Sequence, residues 1–393
     1  MRTLHVVPSL SPLTGGVGTS VRRLCADLKR LGVSTEIWAT SKWHSPTDRP
    51  ADDQLREAGV GLRYFQTHPW RWLGTRYAYS PGMEEALLRD ILSFDLVHLH
   101  SIWLYTTQAA ASACSRFRVP YLVSPCGMLD RGALRIRPLR KLLYGWLIER
   151  RTLAGAAAIH FTSPMEQKRA WRMGLRRPGF VVPRSVELGD PRSVSQGAFR
   201  TRRPEISEPF LLLFLGRLHP TKRLDILVEA FIRVARRRSD VRLIIAGPDE
   251  GSEPSLRAAL KKAGLSNRVT FTGLLAGPEK WAALRDSTLL LLPSEFESFA
   301  VAALEALASG VPVLLSEQVA LSDWVRAAQA GSVLPRDAGT WAEEISRLLN
   351  NPALLQAMGE AGRRLAEEEF SGREVARKML SAYEEILQGA PRK

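Results

Sequence analysis

The chain has 393 residues, 45% hydrophobic and 24% charged, which suits two globular domains and excludes both a small stapled module and a wholly disordered chain. No apolar run approaches the roughly 18 residues that span a bilayer, and Cys25, Cys114 and Cys126 have neither disulfide-framework nor metal-ligand spacing, so a reducing cytoplasm is expected. The net charge of +15 is uneven: residues 1–200 carry 29 Lys and Arg against 15 Asp and Glu, residues 201–393 carry 26 against 25, so the first half should face something acidic such as a phosphate, an anionic lipid surface or a nucleic acid.

The opening reads as strand, glycine loop, helix. Leu4 to Val7 is apolar, although Pro8 makes it a poor signal peptide; Gly15, Gly16 and Gly18 follow. Apolar residues then recur at helical spacing from Val17 to Leu31, and Gly32 sits where a helix would stop. Strands are predicted at Ser34 to Ala39, Leu96 to Leu99, Tyr121 to Ser124 and Ala157 to Phe161, alternating with helical stretches as in a parallel sheet covered by helices. Residues 191–209, rich in Pro, Arg, Ser and Gly, read as a linker. The rhythm restarts with strands at Phe210 to Leu215, Val241 to Ala246, Val269 to Phe271, Thr288 to Leu292 and Val311 to Leu315. The tail from residue 371 reads as a helix, with Val375, Met379, Leu380, Tyr383 and Leu387 on one face. The expected fold class is α/β: a Rossmann-like domain over 1–190, a second over 210–370, and a C-terminal helix over 371–393 that packs back on the first. Open sheets of this kind bind ligands at the carboxyl ends of their strands, so function is sought there, across a cleft between the domains.

Two stretches carry the chemistry. Gly216-Arg217-Leu218-His219-Pro220-Thr221-Lys222 lies between a strand and a helix, where Arg217 and Lys222 would converge as two fixed cations suited to a diphosphate. Leu292 to Ala300 runs into a helix that carries Glu305; eight residues separate it from Glu297, about 12 Å along a helix, so one carboxylate could meet a sugar and the other a ribose. The amides of Ser298, Phe299 and Ala300 stand at a helix start that favours phosphate. Glu305 sits among apolar residues, where a carboxylate needs a partner, and a ligand hydroxyl would serve.

In this order, Thr14-Gly15-Gly16, Asp95 to His100, Gly216-Arg217-Leu218 with Lys222, Phe271-Thr272-Gly273 and the Glu297/Glu305 pair make the chain resemble a family 4 glycosyltransferase of the GT-B fold over nearly its whole length. Ser124 to Leu129 through Glu149-Arg150-Arg151 resembles members that build cell-surface polysaccharides and glycolipids. The resemblance implies retaining transfer from a nucleoside-diphosphate sugar to a glycan or polyprenyl-linked acceptor, with no protein nucleophile, metal or cofactor. It further implies that Arg217 and Lys222 hold the diphosphate, Glu297 the donor sugar and Glu305 the ribose. Gly15 and Gly16 would approach the phosphates, Phe271 to Gly273 would border the base, and His100 and Arg131 would lie on the acceptor side.

The sequence also departs from the family. Cys126 stands where relatives usually place a histidine near the reacting sugar; a thiol is the weaker hydrogen-bonding group, which leaves a different donor, a slower enzyme or an inactive scaffold as readings, beside an epimerase-like enzyme on the same fold. Val182-Pro183-Arg184-Ser185 replaces the usual Asn-Gly after this proline, so the turn should take another shape. His98 and His100 share one strand face and read either as ligand neighbours or as a pair satisfied by packing, and His5 reads as structural. Arg131 to Arg151 interleaves seven cations with Leu, Ile and Trp: either a helix with a charged outer face or a surface for the anionic inner face of the cytoplasmic membrane. No nucleic-acid module is present, so no nucleic-acid partner is expected.

Overall fold

The computed structural model describes residues 1–11, 16–42, 44–70, 77–129, 148–185, 194–297 and 299–389. The chain divides into two compact units, Met1–Ser185 with Gly372–Lys393, and Val186–Ser371. The first holds a seven-stranded sheet of β1 (Arg2–Val7), β2 (Ser34–Thr40), β3 (Gly61–Phe65), β4 (Leu96–His100), β5 (Tyr121–Ser124), β6 (Ala158–Phe161) and β7 (Gly179–Val181), in the order β3-β2-β1-β4-β5-β6-β7. The second holds β8 (Phe210–Leu215), β9 (Val241–Ala246), β10 (Val269–Gly273), β11 (Leu289–Leu292), β12 (Val313–Ser316) and β13 (Gly331–Leu334), in the order β10-β9-β8-β11-β12-β13. Every strand pair is parallel.

Parallel strands joined by helices are covered on both faces, so their interiors read as unbroken apolar runs. β4, β5, β6, β9, β11 and β12 are buried at every residue. Three strands absent from the sequence reading, β3, β7 and β13, are sheet edges that begin with glycine and are largely half-buried.

Residues 194–209 are not a free linker. The helix Ala198–Thr201 lies within them, and Asp286 accepts hydrogen bonds from the amides of Gly197, Phe199 and Arg200 at 2.6, 2.9 and 3.2 Å. Phe199 and Ile206 are buried in the second unit's core, and Glu208 pairs with Arg242 at 2.7 Å. The few apolar residues of a Pro- and Arg-rich run therefore anchor it.

The terminal helix Gly372–Gly389 buries Val375, Ala376, Met379 and Tyr383 with Leu24, Leu28, Leu96 and Leu122 of the first unit. The terminal helix thus completes a core begun by the first unit's own helices and strands. In the opening loop the tight glycine is Gly18: a Cβ there would stand 2.9 Å from the backbone of Leu10, whereas one on Gly16 would meet only Arg184 Nη1, at 3.6 Å. Gly18→Ala is expected to lower stability by about 1–3 kcal/mol through this overpacking and Gly16→Ala by less, as read by urea unfolding.

Candidate functional site

In both sheets the strand order reverses beside the first strand, so chain leaving β1 and β4, or β8 and β11, departs from neighbouring strands at the same edge. Such an edge is where doubly wound sheets bind ligands. Non-glycine residues with positive φ gather there: Ser101, Trp103 and Cys126 after β4 and β5, Arg223 and Ala300 after β8 and β11, with φ from 52 to 76°. Each costs on the order of 1 kcal/mol.

In the second unit, Gly247 lets the chains leaving β8 and β9 touch, since a Cβ there would lie 1.9 Å from the Gly216 oxygen. Leu218 bridges to Asp249, and the turn Pro220–Lys222 projects Lys222 toward the loop after β11. Lys222 Nζ pairs with Glu297, with both side chains mostly buried, and Ser294 Oγ donates to the same carboxylate oxygen at 3.4 Å. Glu295 N donates to Thr221 O at 2.8 Å, tying the two loops together.

Several expectations change here. Arg217 does not converge with Lys222 on one partner; its Nη1 donates to both oxygens of Glu250 at 2.9 Å, with the side chain 63% exposed. Glu297 is not helical. It bridges to Val319, and the helix begins at Val301, so the helical rise does not set its distance from Glu305. The partner of Glu305 is Lys280, at 2.7 Å, a residue the sequence reading missed because 25 positions intervene. Phe299 is a core residue packed edge-on against Phe370, which leaves only its backbone for a ligand. Ala300 takes the left-handed conformation at the helix start. Phe271 is half-buried under the Arg257 guanidinium at 4.1 Å, and Gly273 is exposed with φ 67°. Gly15, Arg131, Ser298 and residues 131–147 of the basic stretch lie outside the described residues.

In the first unit, a small pocket at the carboxyl edge of the sheet is lined by His100, Ser124, Cys126, His160 and Arg184 among others. Cys126 is half-buried at φ 55°, its thiol donating weakly to Ser124 Oγ at 3.5 Å. Glu166 holds this loop against β6 by accepting from Gly127 N at 2.5 Å and from Thr162 N and Oγ1 at 2.7 and 2.8 Å.

Four buried histidines stand together here, His100 and His160 in the pocket wall and His5 and His98 beside them. His160 Nε2 lies 2.8 Å from the Val182 carbonyl, which can only accept, so His160 donates there. Its Nδ1 then accepts from His98 Nε2 at 3.2 Å, and His98 Nδ1 accepts from Tyr383 OH at 2.7 Å. His5 Nδ1 and His100 Nε2 are paired at 3.1 Å. Among the described residues, His5, His98 and His100 alone are grouped closely enough to hold a metal, yet both nitrogens of His98 are committed to this chain of hydrogen bonds. His98 is thus a packed structural residue, whereas His100, paired through Nε2 with His5, also walls the pocket. Burial holds all four neutral, drawing His160 down to about 4 and His5 to about 3.

The comparisons with known proteins fall on this architecture. Residues 196–365 match the model for glycosyl transferases group 1, and residues 15–184 that for the glycosyl transferase 4-like domain. The D-inositol 3-phosphate glycosyltransferase of Gordonia bronchialis is 33% identical over 98% of this chain and 88% of that protein. The chain belongs to glycosyltransferase family 4. This family 4 enzyme is also 25% identical to the phosphatidyl-myo-inositol mannosyltransferase of Mycobacterium leprae, over 98% of this chain and 97% of that one. Its fold resembles HepE from Anabaena, solved with UDP and glucose, with a TM-score of 0.75 at 18% identity over 98% of this chain and 100% of that one. The fold is GT-B, and the protein is a glycosyltransferase. Among the described residues no helix is long and apolar enough to cross a membrane.

A histidine whose pKa is depressed in the folded protein binds fewer protons there than when unfolded, so its stabilising neutral form is fully present above the unfolded value of about 6.5 and is lost as pH falls toward the folded value. For His160 the window runs from 6.5 down to about 4. Stability should fall by about 2–3 kcal/mol from this group alone between pH 7.5 and 4.5, read by urea unfolding. His160→Gln should be less stable at pH 7.5 with a flatter slope over that window; an unchanged slope would remove His160 as the cause.

Proposed function

We propose that this enzyme moves a sugar from a nucleoside-diphosphate sugar onto a hydroxyl of a glycan or lipid-linked acceptor in cell-surface polysaccharide or glycolipid synthesis, with retention at the anomeric carbon. The observation that carries the donor assignment is the Lys222–Glu297 pair where the loops after β8 and β11 meet. A mostly buried ammonium held by one carboxylate can exchange that partner for a diphosphate oxygen. The UDP and glucose named with HepE and the inositol phosphate and lipid named for the relatives agree with these substrate classes.

In this reading the bond between the anomeric carbon and the diphosphate oxygen breaks with its electron pair passing to the diphosphate. Lys222 stabilises that charge, joined by Arg217 once it exchanges Glu250 for the diphosphate, and the two cations take over the role of a metal. The acceptor hydroxyl attacks on the face the leaving group departs from, and its proton passes to a leaving phosphate oxygen. Glu297, released from Lys222, accepts from donor-sugar hydroxyls. Glu305, held by Lys280, accepts from the ribose, beside a base bordered by Phe271 and Gly273.

A panel of nucleotide sugars with polyprenyl-diphosphate-linked acceptors, read by released nucleoside diphosphate, tests this. Turnover is expected with one donor and should drop about 10²–10³-fold in Lys222→Ala, with Arg217→Ala losing less because its side chain is mostly exposed. Donor binding without release across the panel would instead mark an inactive scaffold, with Cys126 the first residue to revert to histidine. The excess of 14 positive charges in residues 1–200 further supports attachment to an anionic membrane face. Co-sedimentation with phosphatidylglycerol vesicles at low salt, lost at high salt, is expected; protein left in the supernatant at low salt would remove this attachment.

A further inference from the structure

The first unit buries one carboxyl to which the transfer reaction gives no task. Glu149 is 2% exposed; its Oε2 accepts from the Trp103 amide at 2.9 Å, and its Oε1 is buried with no hydrogen-bond partner. Among the described residues no cation pairs with it. A carboxylate bared in this way is costly, and burial pushes this one up to about 7 against the opposing pull of the Trp103 amide. The Tyr77 and Tyr121 phenols feel its charge, and both are pushed up to about 12, chiefly by burial. Cys114, on the helix Tyr105–Phe117 that packs against the helix Arg150–Gly155, is held protonated by burial. Arg177, which faces Tyr121, donates to the Ala156 carbonyl at 2.7 Å, and Arg150 and Arg151 are exposed. Through Trp103 this carboxyl reaches the pocket. Trp103 has a left-handed backbone, φ 67°, which a bulky residue keeps only where its surroundings fix it. Glu149 fixes its amide, and its indole Nε1 donates to the carbonyl of Met128, in the Cys126 loop, at 3.3 Å. Ser101 N donates to the Ser124 oxygen at 2.9 Å, so the segment after β4 is tied to the end of β5 as well.

We propose that Glu149 is a positioning residue for sugar transfer: as an uncharged acid it fixes the Trp103 backbone, and through Trp103 the Cys126 loop, and its ionisation loosens that loop. The consequence for turnover rests on the reading of the protein as a sugar transferase with Cys126 near the reacting sugar; the loosening itself does not. An exposed glutamate carboxyl ionises at 4.5, so a conformer that lets Glu149 reach water releases its proton first as pH rises. The closed conformer is therefore fully favoured below 4.5, loses ground up to about 7 and loses no more above that. Two substitutions separate the charge from the hydrogen bond. Glutamine imitates the uncharged acid, with a carbonyl that still accepts, whereas leucine leaves the Trp103 amide without an acceptor.

Labelling of the full chain with dithiodipyridine, without substrate, is the first test. Cys25 and Cys114 are buried and held protonated, so the rapid phase belongs to Cys126. The rate for the native chain divided by that for Glu149→Gln cancels the titration of the thiol and of His160, which both chains share. This ratio should rise at least about threefold between pH 5 and pH 8; a constant ratio overturns the proposal. With an active donor and acceptor, the same ratio of kcat/KM should fall by a similar factor over that range, and a flat ratio overturns the positioning role. At pH 5, where the native carboxyl is mostly uncharged, Glu149→Leu should lie at least about tenfold below Glu149→Gln in kcat/KM; equal values overturn the proposal. If the leucine variant loses its native circular dichroism, the ratios of native chain to Glu149→Gln decide alone. Absence of turnover with every donor defeats the transferase reading, and the loosening of the loop is then decided by the labelling ratio.

Discussion

The reversal of strand order beside the first strand of each sheet is the constraint on which the rest depends. A parallel sheet extended in both directions from its first strand must send the helices after neighbouring strands to opposite faces, which leaves a crevice at the carboxyl edge that no side chain of the core can fill. In the second unit this crevice brings Lys222, after β8, against Glu297, after β11. In the first it gathers the amino end of the helix Gly16–Arg30, the end of β4 and the loops after β5, β6 and β7 around one pocket. The left-handed backbone at Ser101, Cys126, Arg223 and Ala300 is the strain of turning the chain there without glycine.

The polar groups behind these edges are treated differently in the two units. The second unit neutralises its charges locally: Lys222 with Glu297, Arg217 with Glu250, Lys280 with Glu305, Arg242 with Glu208. A ligand that arrives there exchanges one charged partner for another, which avoids leaving a buried charge bare. The first unit instead uses neutral donors and acceptors in series, from Tyr383 through His98 and His160 to the Val182 carbonyl. That series ties the terminal helix to the centre of the sheet, and it ends one residue before Pro183, Arg184 and Ser185. Packing of the last helix and the geometry of the pocket therefore share one hydrogen-bonded chain.

The sequence reading was sound where burial was complete and weak where it was partial. Phe210 to Leu215 and Val241 to Ala246 agree with β8 and β9 residue for residue, because a strand covered on both faces must be apolar throughout. The edge strands β3, β7 and β13 are covered less, so composition carries little trace of them. The segment 194–209 looked like a linker because a single helical turn needs only Phe199 and a distant Asp286 to hold it. In the candidate site, motif order pointed to Lys222, Glu297 and Glu305 as residues to look at but not to the partners Lys280 and Glu250, since nothing local marks a cation or carboxylate whose counterpart lies 25 or 33 positions away.

The amino-acid sequence by itself determined the two α/β units, the family and the residue types at the carboxyl edges, because hydrophobic periodicity and short motifs are properties of neighbouring residues. Tertiary structure alone decided the pairings: which carboxylate each cation meets, that Glu297 sits in a bridge to Val319 rather than on a helix, and that Tyr383 closes on His98 across 285 positions. Each of these is a long-range contact set by how helices pack on a twisted sheet, and the energy of burying a charge or a polar group depends on the partner it finds there, which no local pattern encodes.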